Sequence, residues 1–221
     1  MLEIFIQTFV LYFIVIDPLG NTTLFLIVTQ RLKIKDKIKT ALEATTIATI
    51  ILLFFAFLGN FILSSLNISF SAFTIAGGII LFIISLEMLF DKRNQRKEKG
   101  LKSRSDRISI FPLAIPLLAG PAAITSIIVS VTDIGVNFIE QSVGMISLVL
   151  VMFITFIIYY IASKSSKIIN KKVISVISRV IGIILAGLSI QYILDGIKKY
   201  TFINEKTFRD RGSGFVINFF L

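Results

Sequence analysis

The residues with chemistry to offer begin at Asp17. Asp17-Pro18-Leu19-Gly20-Asn21-Thr22 sets a carboxylate, a carboxamide and a hydroxyl close together, in the middle of an apolar run from Leu2 to Thr29. A run of that length can cross a bilayer, which takes roughly 20 apolar residues. In hydrocarbon a charged side chain costs on the order of 2.5 kcal/mol or more, so it normally faces a bundle interior and has a job. Pro18 removes a backbone N–H and crowds the carbonyl of Ile14, which interrupts the helix in mid-run. Asp17 has two readings here. As the residue before proline it is a good N-cap for a restarted half-helix, its carboxylate accepting the Leu19 or Gly20 N–H. As a mid-membrane anion it attracts an ammonium or a coupling cation. Gly20 lets another backbone approach closely. Asn21, Thr22 and Thr23 either line a path or bond back to the preceding turn.

A second interrupted stretch follows later: Phe111-Pro112-Leu113-Ala114-Ile115-Pro116-Leu117-Leu118-Ala119-Gly120-Pro121, then Ala122-Ala123-Ile124-Thr125-Ser126. Pro116 removes the bond to the Pro112 carbonyl, and Pro121 removes the bond to Leu117. Such freed carbonyls are tolerated in a membrane only where they line a cavity or are satisfied by neighbours. Gly120 stands where the first stretch has Asp17, and it has no side chain with which to cap. The N–H groups of Ala122, Ala123 and Ile124 are then open at the positive end of a helix dipole. The pair of breaks therefore suits a small zwitterion: a carboxylate at the second, an ammonium at Asp17.

These stretches must be held by a bundle of membrane helices. The 221 residues are 55% hydrophobic with a mean hydropathy of +0.90, against roughly 45–50% apolar content in soluble domains. Six spans are expected: Leu2–Thr29, Leu42–Ser64, Phe70–Phe90, Ile110–Val131, Gly144–Ile161 and Ile174–Ile197. All are helical, because backbone polar groups have no water to bond in the bilayer core. The first run is a full span without a basic leader, so no cleavable signal is expected.

Loop charge sets the orientation. Arg31, Lys33, Lys35, Lys37 and Lys39 fill the first loop, eight lysines and arginines lie between Lys92 and Arg107, and Lys164, Lys167, Lys171 and Lys172 fill the fifth. By the positive-inside bias, loops 30–41, 91–107 and 162–173 are cytoplasmic and both termini lie outside. Only the late cluster from Lys198 to Arg211 argues the other way. The net charge of +10 is thus topology-setting, and no basic face interleaved with aromatics points to nucleic acid. Histidine and cysteine are absent, which excludes disulfides, thiol nucleophiles, the usual zinc sites and a histidine base. No metal and no cofactor are expected.

The halves on either side of 91–107 resemble each other. Gly78 to Asp91 and Gly182 to Asp195 match at six of fourteen positions, with Glu87 facing Gln191. Asp17-Pro18 and Gly120-Pro121 match near the start of each half. Three spans per half is odd, so the second copy must be inverted, and inverted repeats with interrupted first helices are a recurring transporter plan with the site at mid-membrane. The expected architecture is one all-helical membrane domain over residues 1–200, with repeats at about 2–90 and 108–200 and an unassigned tail, 201–221. Glu43 is read as snorkelling or paired with a lysine, and Gly77, Gly78, Gly182 and Gly187 as close-packing sites. Asn67-Ile68-Ser69 fits a glycosylation sequon, relevant only in a secretory pathway.

Taken together, Asp17-Pro18-Leu19-Gly20-Asn21, Gly77-Gly78, Pro112 to Pro121 and Leu194-Asp195-Gly196-Ile197 resemble the MarC family of bacterial inner-membrane proteins, over about residues 2–200. The resemblance implies six spans and a plasma-membrane location. It implies no settled function, although some relatives have been assigned as transporters of small neutral amino acids. Ala122-Ala123 departs from the residues often found after Gly-Pro, and the tail past Tyr200 has no counterpart. The leading expectation is a secondary transporter or exporter of a small solute, coupled to H+ or Na+. The solute site would comprise Asp17, Gly20, Asn21, Thr22, Gly120, Ala122, Ala123 and Thr125, with breaks at Pro18, Pro112, Pro116 and Pro121. A non-transporting assembly protein is the alternative. A membrane-embedded enzyme needs an acid/base pair or nucleophile, which a lone Asp17 supplies poorly.

Overall fold

The computed structural model describes residues 1–90, 113–133, 138–165 and 171–217, and every regular element among them is helical. In chain order these are α1 (Leu2–Ile16), α2 (Pro18–Val28), α3 (Ile34–Ser65), α4 (Phe70–Leu89), a short π-helical segment α5 (Leu113–Leu118), α6 (Pro121–Asp133), α7 (Phe138–Lys164) and α8 (Lys171–Ile217). Five stretches are long and apolar enough to cross a membrane: Leu2–Val28 (α1 with α2), Ile34–Ser65, Phe70–Leu89, Ile139–Lys164 and Val173–Thr201. The described part of the expected span Ile110–Val131 is instead a π-helical turn and a shorter apolar helix.

Apolar residues lie on both sides of the protein surface. Phe54, Phe57 and Phe61 of α3 and Ile183, Ile184 and Leu194 of α8 are exposed, where lipid solvates them as well as a core would. Tyr12, Phe25, Leu52, Leu81, Leu148 and Leu185 fill the interior, together with an unusual number of buried Ser and Thr side chains. Most of those hydroxyls donate to a carbonyl one turn back, as at Thr45, Thr74, Thr155 and Ser163. That is how a helix carries them in a medium without water.

Several boundaries differ from the sequence expectation. Helix α3 starts at Ile34, so Lys35, Lys37 and Lys39 occupy its first turns and not a loop 30–41. Lysine is a good helix former and its head can stay in water, so the helix runs past the apolar span. Glu43 pairs with Lys39 at 3.8 Å within this extension. Helix α7 takes in Glu140 and runs to Lys164, and α8 begins at Lys171, so both ends of the expected loop 162–173 are helical. Helix α8 also continues through the tail to Ile217, because each residue added to a nucleated helix gains a bond. The loop 91–107, residues 108–112 with Pro112, and 218–221 lie outside the described residues.

Helix α3 stops in a Schellman motif: Ile68 N–H donates to Leu63 O at 2.9 Å and Asn67 N–H to Ser64 O at 3.1 Å. Asn67 takes the left-handed conformation, φ 55°, which the motif requires and asparagine tolerates. Ser69 then caps α4 by accepting the Ala72 N–H at 3.2 Å.

Helices α4 and α8 meet along a seam of small residues. A Cβ added to Gly78 would lie 2.8 Å from Ser189 O and 3.1 Å from Ile193 N; one added to Gly182 would lie 3.2 Å from Ser85 O and 3.3 Å from Leu89 N. The contacts are reciprocal, since the opening glycine of each matched stretch meets the matched serine of the other. Even the hydroxyls agree: Ser85 donates to Phe82 O and Ser189 to Ala186 O, both at 2.6 Å. Gly77 faces the Thr125 side chain, whereas among the described residues nothing lies within 4 Å of a Cβ built at Gly187, so the close packing expected there is not seen.

Candidate functional site

The first break is a single residue. Asp17 ends α1 and caps α2 in the left-handed conformation, φ 51° and ψ 65°. Its N–H still donates to Phe13 O at 3.0 Å, and its carboxylate Oδ1 accepts the Gly20 N–H at 3.0 Å. Pro18 occupies the first helical position. Asp17 is 3% exposed. The structure therefore realises the capping reading in its Gly20 form. At Gly20 the atoms nearest to an added Cβ are those of the Asp17 carboxylate, which lies over it, so the close approach there is made by that side chain. A Cβ there would stand 2.8 Å from Asp17 Cγ.

The second break is wider. In α5 the Ala119 N–H reaches back five residues to Ala114 O at 2.9 Å, the π pattern that accommodates backbone whose ordinary partners are missing. Pro116 lies within this segment. After Gly120, α6 begins at Pro121, and its first intrahelical bond runs from Ile124 N–H to Gly120 O at 3.0 Å. The N–H groups of Ala122 and Ala123 precede that bond, on the positive end of the helix. Gly120 is half-buried and Pro121 exposed, while Ala122 and Ala123 are buried.

The opening turns of α2 and α6 are built alike. Asn21 N–H donates to Asp17 O at 3.0 Å as Ile124 N–H does to Gly120 O. Thr22 donates to Pro18 O at 2.6 Å as Thr125 does to Pro121 O at 2.8 Å. Both threonine hydroxyls thus spend their proton on the backbone and offer a ligand only their lone pairs.

Asn21 joins the two breaks. Its amide nitrogen donates to Ile16 O at 2.6 Å and to Leu117 O at 3.3 Å. Each carbonyl has lost its ordinary partner. Ile16 O would accept from Gly20, whose N–H the Asp17 carboxylate has taken, and Leu117 O would accept from residue 121, which is proline. One carboxamide, 1% exposed, therefore serves the freed carbonyls of both interruptions, reaching across 96 residues to Leu117.

Around this junction lie hydroxyls that sequence reasoning did not single out. Tyr12 donates to Ser130 Oγ at 3.1 Å and Thr8 to Ser147 Oγ at 2.9 Å, tying α1 to α6 and α7. Tyr159 of α7 stacks on Phe25 of α2, ring centroids 4.5 Å apart and planes 7° from parallel. The Tyr159 and Ser126 hydroxyls are buried and, among the described residues, have no hydrogen-bond partner. The Ser126/Ser130 spacing of one helical turn was a readable signal. Tyr159 was not, because Tyr159-Tyr160 near a span end looks like an interfacial aromatic pair. Of the expected site residues, Asp17, Gly20, Asn21, Thr22, Gly120, Ala122, Ala123 and Thr125 all fall on the two breaks that Asn21 links. Among the described residues no acidic cluster able to hold a metal is present.

The model for MarC family integral membrane proteins matches residues 2–201. Similar chains named "UPF0056 membrane protein" include one from Buchnera aphidicola (subsp. Schizaphis graminum), 33% identical over 88% of this chain and 96% of its own. Another, from Methanocaldococcus jannaschii, is 34% identical over 89% of this chain and 97% of its own, and one from Aquifex aeolicus is 29% identical over 88% and 92%. These relatives come from archaea as well as bacteria. No solved structure matches.

Proposed function

Because this chain belongs to the MarC family of integral membrane proteins, spanning the membrane several times, we propose that it is a secondary transporter or exporter of a small neutral amino acid, with its solute site where the two helix breaks meet. The observation that carries this reading is the Asn21 amide on Ile16 O and Leu117 O. Irregular backbone inside a membrane is tolerated where it is buried in protein or lines a cavity, and here two irregular segments are brought together around a buried carboxylate. Asp17 holds the solute ammonium, and the first turn of α6, with the Ala122 and Ala123 N–H groups, receives the carboxylate.

The same reading takes the chain as two inverted repeats of three spans. The reciprocal Gly78–Ser189 and Gly182–Ser85 contacts and the matching Thr22 and Thr125 bonds support it. It keeps the termini outside a plasma membrane, assigns no catalytic role, leaves nucleic acid out, and takes H+ or Na+ as the coupling ion. Its test is counterflow in proteoliposomes loaded with alanine, glycine or serine. Wild type should accumulate labelled alanine, and Asp17→Asn, which keeps a capping side chain, should lose that flux while folding normally. A wild type inert to all three solutes, or an Asp17→Asn as active as wild type, rejects it.

A further inference from the structure

Among the described residues, the Tyr159 hydroxyl is, with that of Ser126, a buried group whose hydrogen-bonding capacity the fold leaves unused. Tyr159 is 0% exposed and its Oη has no partner among the described residues. A buried hydroxyl without a partner is a standing cost to the fold, and phenylalanine would keep the same stack on Phe25 without it. Phe25, Asn21 and Asp17 follow one another at intervals of four, so they share one face of α2 and its cap. On α7, Ser147, Val151, Thr155 and Tyr159 also recur every four residues, and all four are fully buried. Ser147 accepts from Thr8 of α1 and Tyr159 stacks on Phe25 of α2. Helix α7 therefore packs against both halves of the interrupted helix and sets Tyr159 on the face of α2 that leads back through Asn21 to Asp17.

Resting on the transporter reading, we propose that Tyr159 Oη is a direct contact of the solute, accepting a hydrogen bond from the ammonium group that Asp17 holds by charge. A carboxylate and a phenol oxygen that accept from one ammonium require a donor with more than one N–H. A primary ammonium has three, whereas a quaternary ammonium has none. The pair thus selects a primary amine over its methylated analogues.

The test uses the full chain in proteoliposomes, as wild type and Tyr159→Phe, with labelled alanine counterflow and thermal unfolding measured on each. Loss of a hydrogen bond to a charged group corresponds to about a 10- to 150-fold loss of affinity. Tyr159→Phe should therefore raise the alanine KM about ten-fold or more, leave the maximal rate within about two-fold, and melt no lower than wild type. N,N,N-trimethylglycine should compete poorly with alanine in wild type, and the gap between the two should narrow in the variant. A lower melting point with an unchanged KM makes the hydroxyl structural and overturns the proposal. Altered sodium or proton dependence with an unchanged KM gives it to the coupling ion and overturns it too. If wild type transports none of the three amino acids, the transporter reading itself falls, and this contact with it.

Discussion

Replacing Asn21 by alanine removes a side chain that serves both helix breaks. The shorter bond, 2.6 Å to Ile16 O, caps a carbonyl in a fully buried stretch; stranding such an acceptor costs about 1–3 kcal/mol. The bond to Leu117 O is longer, 3.3 Å, and joins different elements; bonds between membrane helices average about 0.6 kcal/mol. The sum is about 1.6–3.6 kcal/mol, which for a domain of this size lowers Tm by about 3–14 °C. Asn21→Asp is the informative companion. It keeps the shape but turns the donor into a second acceptor facing two carbonyls, close to the Asp17 carboxylate, so it should be less stable than Asn21→Ala. Both are measured by thermal unfolding of detergent-purified protein at one protein and detergent concentration. An Asn21→Ala variant melting within a degree of wild type, or an Asn21→Asp variant more stable than it, refutes the claim that this amide joins the breaks.

Other substitutions follow from the same geometry. Gly20→Ala places a methyl 2.8 Å from Asp17 Cγ, so the carboxylate must leave its cap; thermal unfolding should register the loss of about 0.5–2 kcal/mol that a cap supplies. Asp17→Asn should cost little stability, because asparagine caps and tolerates φ 51°. Asp17→Ala loses the cap and also carries the left-handed strain of roughly 1–2 kcal/mol, so the two variants should separate on melting. Gly78→Val should destabilise more than Gly182→Val, because its Cβ would lie 2.8 Å from facing backbone against 3.2 Å, whereas Gly187→Val, with open space around it among the described residues, should stay within about 0.5 kcal/mol. Lys39→Ala should melt like wild type, since the Lys39 side chain is 74% exposed and such pairs are worth about 0.3–0.5 kcal/mol.

What the sequence disclosed was mostly local. Proline cannot donate a backbone bond whatever surrounds it, so the interruption at Pro18 was legible to the residue, and so was the capping carboxylate before it. The glycines at 77, 78 and 182 were legible as packing sites because small residues are what lets membrane helices approach. The start of α3 was not, because hydropathy marks where lipid ends and a lysine-rich helix continues past that point. At the second break, the missing bonds were countable from Pro116 and Pro121, but the π-helical form that absorbs them depends on how neighbouring helices hold α5. The role of Asn21 was invisible in one dimension. Only the folded chain brings Leu117 O to it, and the same holds for Tyr159, whose neighbour Phe25 is far away in sequence.

The central claim is that the joined breaks form a solute site reached from both faces of the membrane. The chain contains no cysteine, so a single Ala122→Cys substitution provides a unique reporter on the first turn of α6, where the helix terminus favours a reactive thiolate. The measurement is its labelling by a membrane-impermeant thiol reagent, applied to oriented vesicles from each side with and without alanine. The account predicts labelling from both sides, slowed by saturating alanine. A thiol that reacts from neither side, or at a rate indifferent to alanine, glycine and serine alike, contradicts it.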